Sequence, residues 1–159
     1  MGTKVFISHS STDKPWIDWI AQQAQAIGVE PYLAEHDVQA GRLISEKVKS
    51  NIRSSDAVLV FLTTHGMCSV YVQQEIGAAV TMGKLVVPLV HPVVESESRG
   101  MLNGVEYIVF DFDNPSEGAA KLVAALRDIS LRKQRDELLE AVVVAALVVG
   151  LAYMASQQG

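Results

Sequence analysis

Tyr71 and Glu75 stand four residues apart in the stretch SVYVQQEIGAA, and on a helix that spacing sets them one turn apart on the same side. Val72, Ile76 and Ala79 form an apolar stripe beside them, so Glu75 borders a face destined for a core. A carboxylate at such a border is partly desolvated, and a nearby helix start can keep it ionised. In that state it can stabilise a cation forming on a substrate. A solvated surface glutamate with no chemical task fits the same spacing, and spacing alone does not choose between the two.

The other chemistry-bearing residues are less well arranged. His9, His36, His65 and His91 fall on separate predicted loops without the paired spacing of a zinc site, so no metal ligands are assigned. His65 and Cys68 are three residues apart, but no third group orients them as base and nucleophile, and Cys68 reads as a small buried thiol. Asp111 and Asp113 precede Asn114, Pro115 and Ser116, a pattern for a turn and a helix start more than for a cation site. Neither G-x-G-x-x-G nor G-x-x-x-x-G-K-[ST] occurs. A phosphoacceptor receiver domain would carry acidic residues after the first strand and an aspartate at the end of the third, where this chain has Ser8 and Thr63.

Glu75 needs a frame to hold it. Strands are expected over residues 4–8, 31–34, 57–62, 85–89 and 106–111; the run AVLVFL at 57–62 is apolar throughout, as befits a central strand covered on both sides. Helices are expected over 15–27, where Trp16, Ile17, Ile20, Ala24 and Ile27 recur at helical spacing before Gly28, over 43–54 through Ile44, Val48 and Ile52, and over 70–82 behind an N-cap at Ser69. Residues 92–104 are polar and lack clear periodicity. The alternation gives an α/β fold, a flavodoxin-like five-stranded parallel sheet with helices on both faces and right-handed crossovers. Such sheets bind ligands beyond the carboxyl ends of their strands, where strand order reverses. Here that point lies between the first and third strands, bounded by loops 9–13 and 63–69.

Composition narrows the partners. The chain has 159 residues, enough for one domain and a tail, and its net charge of −5 argues against nucleic acid, which calls for a Lys/Arg-rich face. A single cysteine allows no intramolecular disulfide and fits a reducing cytosol. The segment MGTKVFISHS reads as a strand and not a secretory leader, and Phe6 stands where a myristoylation motif wants Ser or Thr.

From Ser116 onward helical periodicity runs through Ala120, Val123, Leu126 and Ile129 into a charged segment, and one helix can run nearly to the end. Residues 131–159 form a hydrophobic C-terminal helix flanked by Arg132, Lys133 and Arg135, and from Ala141 onward no charge appears. The apolar stretch Ala141 to Ala155 is slightly short of the roughly 20 apolar residues of a membrane span, with Leu138 and Leu139 available to extend it. Membrane anchoring is the expectation, with the domain on the cytoplasmic side of the inner or plasma membrane by the positive-inside rule; an oligomer-forming helix is the alternative.

The segments KVFISHSSTD, SSDAVLVFLT and SVYVQQEIGAA, in this order and with these connections, resemble a Toll/interleukin-1 receptor (TIR) domain of the prokaryotic, NAD-cleaving kind over about residues 3–126, so that residues 1–130 form the domain. The resemblance implies that Glu75 is the catalytic residue of a pattern S-x-W-x-x-x-E, matched here by Ser69, Tyr71 and Glu75, with tyrosine in place of tryptophan and an aromatic face retained. It further implies substrate contacts from Ser8, His9 and Ser10 in the first loop, and from Gly41 and Arg42 in a mobile loop over 35–43. The implied activity is cleavage of the nicotinamide–ribose bond of NAD+, a substrate and not a cofactor, to ADP-ribose or a cyclised isomer. Homo-oligomers through TIR–TIR contacts, antiphage defence, and an effector that senses a nucleotide product belong to the same implication. A non-enzymatic scaffold acting through homotypic assembly is the rival reading.

Overall fold

The apolar run AVLVFL forms strand β3 (Ala57–Leu62), buried at all six positions. Side chains alternate along a strand, so Ala57, Leu59 and Phe61 enter one core while Val58, Val60 and Leu62 enter another on the opposite face. Around it lie β1 (Thr3–Ser8), β2 (Val29–Leu33), β4 (Leu85–Val90) and β5 (Ile108–Val109), in the order β2-β1-β3-β4-β5 with every pair parallel. The computed structural model describes residues 2–34, 46–95 and 99–157.

Helices cover both faces. On one, α1 (Lys14–Ala26) contributes Ile17, Ile20 and Ala24, and α5 (Pro115–Ser156) contributes Leu122, Leu126 and Ile129. On the other, α2 (Glu46–Ser54) contributes Val48 and Ile52, and α4 (Val70–Thr81) contributes Val72, Ile76 and Ala79. Burying each such Val, Ile or Leu side chain is worth about 1.5–3 kcal/mol, which is why the stripes dictate the layers. Both ends of α4 are fixed locally. The Val72 N–H donates to the Ser69 hydroxyl at 3.3 Å, and Gly83 turns the chain at φ +65°, letting Gly83 N–H reach Val80 O and Lys84 N–H reach Ala79 O.

Several boundaries differ from those expected. β2 begins two residues earlier than expected, and β5 contracts to two residues because only Ile108 and Val109 come into register with Leu89 and Val90. Of the expected helix over 43–54, residues 43–45 lie outside the described ones. Within the expected loop 63–69 a short helix, α3 (Thr64–Cys68), forms behind a Thr63 cap that accepts the Gly66 N–H at 3.0 Å. Cys68, expected to be buried, is exposed, because this extra turn carries it outward.

α5 is one helix of 42 residues, about 63 Å long. Its buried positions end at Ile129, and its last tether is Lys133, whose Nζ donates to Gly2 O at 2.8 Å and to Asp56 Oδ2 at 2.9 Å. Residues 134–157 are exposed throughout, and an 18-residue window of the helix has a mean hydropathy of 2.3 with none of it buried.

Candidate active site

β1 and β3 are neighbours, yet the chain leaves β1 toward β2 on one side and reaches β3 on the other. This is the point of reversal at which α/β sheets admit ligands. Ser8 closes β1 in register with Val60 of β3. Its hydroxyl, wholly buried, donates a short hydrogen bond to Oε2 of Glu75 from α4. Two residues 67 positions apart are thus joined where a cleft between these strands would open. Glu75 is only 1% exposed; the helical period carries it to the sheet side of the stripe it was expected to border.

A second pin lies beside the first. Asp13, 6% exposed, stands at the N-cap position of α1 but makes no side-chain cap hydrogen bond; its Oδ2 accepts from the Thr63 hydroxyl at 2.7 Å. Since Thr63 also caps α3, the first loop and the segment after β3 are held as one unit. Sequence reasoning missed both residues. The only signal was Asp13 placed just before Lys14-Pro15, which reads as an ordinary helix cap.

The structure thus brings Ser8 and Glu75 together. His9 is buried beside them in sequence, with Nδ1 3.2 Å from Ile7 O. Ser10 accepts from the Thr12 N–H at 3.4 Å and so shapes the short 3-10 turn Ser11–Asp13, while Ser69 caps α4. Tyr71, half-buried, lies one turn before Glu75 on α4. Gly41 and Arg42 lie outside the described residues, as does His36. The Asp111–Asp113 pair forms the expected turn, with the Asp113 N–H donating to Asp111 Oδ1 at 2.9 Å.

Burial pushes the Glu75 carboxyl up to about 8, and the Ser8 hydroxyl acts against that rise by stabilising the charged form. In the ligand-free protein at neutral pH the carboxyl therefore holds its proton. This corrects the expectation of a group kept ionised by a helix start: the opposing influence is the Ser8 hydroxyl, and desolvation outweighs it. A cation arriving next to the group acts against that desolvation. At roughly 5 Å and an effective dielectric near 20, a unit positive charge favours the charged form of the carboxyl by about 3 kcal/mol.

The family model for the TIR domain matches residues 5–126. Among solved structures, the TIR domains of the activated Roq1 resistosome, which directly recognises the pathogen effector XopQ, superpose with a TM-score of 0.54 at 16% identity, covering 80% of this chain and 99% of that one. The CMP N-glycosidase BcmB of Clostridium botulinum superposes with a TM-score of 0.55 at 21% identity, covering 76% and 97%. The TIR domain of the Toll-related receptor TRR-2 from the lower metazoan Hydra magnipapillata gives 0.53 at 15% identity, covering 84% and 95%. No curated protein sequence matches the chain.

Proposed function

The chain belongs to the TIR domain family, and on that premise we propose that it cleaves the bond between nicotinamide and ribose in NAD+, leaving ADP-ribose or a cyclised isomer. The observation that carries this reading is the buried Glu75 carboxyl, hydrogen-bonded by Ser8 at the reversal point of the sheet. Glycosidases that act on sugars pair two carboxyl groups because the leaving oxygen needs a proton while positive charge builds on the ring. Nicotinamide needs none, since it departs as a neutral molecule from a cationic ring. One acid therefore suffices. The pyridinium favours loss of the Glu75 proton to solvent on binding. The resulting carboxylate orients the ribose hydroxyls and stabilises charge at the anomeric carbon as the bond to nicotinamide breaks. Water, or a nucleophile within the substrate for the cyclic product, forms the new bond there and releases a proton. Arg42 and the amides of the first loop are the groups proposed for the pyrophosphate, with Tyr71 offering a ring face. In this reading α5 crosses a membrane with the domain on the cytoplasmic side. TIR–TIR contacts then assemble the active form, and the product signals to an effector in antiphage defence.

One observation favours a second reading. A carboxyl that holds its proton up to about pH 8 suits donation to a poor leaving base, as cleavage of a nucleoside monophosphate would require, and the fold is shared with a CMP N-glycosidase. Full-length protein on vesicles, offered NAD+ and CMP separately and analysed by chromatography, tests both. Nicotinamide with ADP-ribose or its cyclic isomer is expected. Free cytosine alone would replace this reading with the second, and no product from either, at high protein density, would leave the scaffold.

A further inference from the structure

We propose that α5 fixes the orientation of the domain, so that the amino-terminal edge of the sheet rests against the lipid surface and the Glu75 edge faces away from it. The inference rests on the reading of α5 as a membrane span and adds a geometry to it. α5 starts beside the carboxyl end of β5, where a Cβ on Gly118 would lie 2.8 Å from Val109 O. It finishes its packing at Lys133, bonded to Gly2 and Asp56, which precede β1 and β3. The helix therefore runs against the strands and leaves the domain past their amino ends.

The helix continues without a break. No proline follows Pro115, and the same hydrogen-bonded rod that packs on the sheet carries the apolar stretch. From Lys133 to Glu140 is seven residues, about 10 Å of helix, and the polar headgroup layer of one leaflet takes up most of that distance. Six-residue strands add roughly 20 Å between the two edges of the sheet. Glu75 then stands about 30 Å above the hydrocarbon, and an ordinary tilt of about 20° changes that height by roughly 5 Å. A bilayer is the occupant that fits the exposed helix: residues 141–157 are uncharged and exposed all round, as lipid requires, and Arg132, Lys133 and Arg135 sit at the headgroup level. The consequence is a site open to a soluble dinucleotide and flanks free to meet neighbouring copies in the plane.

Two label positions read the geometry. Cys68, exposed in α3 beyond the carboxyl end of β3, is the sole native thiol; Leu85, 46% exposed at the amino end of β4, becomes a label site as Leu85→Cys in a Cys68→Ser chain. Full-length protein is reconstituted in vesicles of neutral and anionic phospholipid, labelled with a fluorophore at either site, and quenched by headgroup-attached nitroxide. Flotation with the vesicles tests the span; protein that stays in the soluble fraction sinks the underlying reading and this one with it. Given flotation, strong quenching at position 85 and little at 68 is expected. Equal quenching at both, or the reverse order, overturns the orientation while leaving the span intact. A Gly-Gly-Ser-Gly insertion after Arg135 should keep flotation and erase the difference; a difference that survives it would show that α5 does not set the geometry.

Discussion

At the residue scale, everything turns on one proton. The Glu75 carboxyl has its pKa raised from 4.5 to about 8, so the folded protein holds a proton that the unfolded chain has lost across that window. Bound protons favour the state that holds more of them, and the wild-type protein therefore loses stability as pH rises from about 4.5 to about 8. Glu75→Gln keeps an acceptor for Ser8 and removes the titration. Its melting temperature should match wild type near pH 4.5 and exceed it at pH 8 by several degrees, as thermal melts across pH would record. Under the proposed reaction the rate should follow the same group with opposite sign. If the carboxylate is the working form, kcat/KM for NAD+ rises with pH toward a plateau above about 8, whereas a proton-donating Glu75 gives a falling limb there. Ser8→Ala removes the hydroxyl that stabilises the carboxylate and should move the rising limb to higher pH.

At the scale of elements, α3 beside the site and the start of α5 at the far edge of the sheet are both tightly fitted. A side chain on Gly66 of α3 would run into the Phe61 carbonyl oxygen, and one on Gly118 of α5 would lie 2.8 Å from Val109 O and 2.9 Å from Phe110 Cδ2. Neither backbone can yield cheaply. Gly66→Ala and Gly118→Ala should each cost about 1–3 kcal/mol in urea unfolding, with Gly66→Ala also lowering activity because α3 carries Thr63's hold on Asp13. Much of this layout was legible in the sequence. The unbroken AVLVFL run announced β3, and Ser69 and Gly83 announced the two ends of α4, since those are properties of a few adjacent residues. α3 was not legible: five residues are too few to show a period. Nor was the depth of Glu75, since its burial depends on Ser8 arriving from a strand 67 residues earlier, and a helical wheel drawn for α4 places it only at the rim. Likewise Asp13 looks like a helix cap until β3 brings Thr63 alongside.

At the scale of the whole molecule, the sheet carries Glu75 at one end and a long helix with an apolar final stretch leaves by the other, an arrangement that under the proposed reading would separate chemistry from attachment. Confinement to a surface raises the effective concentration of neighbouring copies, so a chain ending at Asp136 should be soluble and less active than the full chain at equal dose, as nicotinamide release against protein concentration would show. The residue and the whole meet in a single assay. Full-length wild-type and Glu75→Gln proteins, at equal density in vesicles, are given saturating NAD+ at pH 8 and nicotinamide release is followed. Steady release by wild type, with at least a 100-fold loss in the variant, is predicted, about what removing a charge-stabilising group costs. Equal rates from the two proteins would contradict the account, since the carboxyl held by Ser8 at the reversal point would then have no part in the reaction.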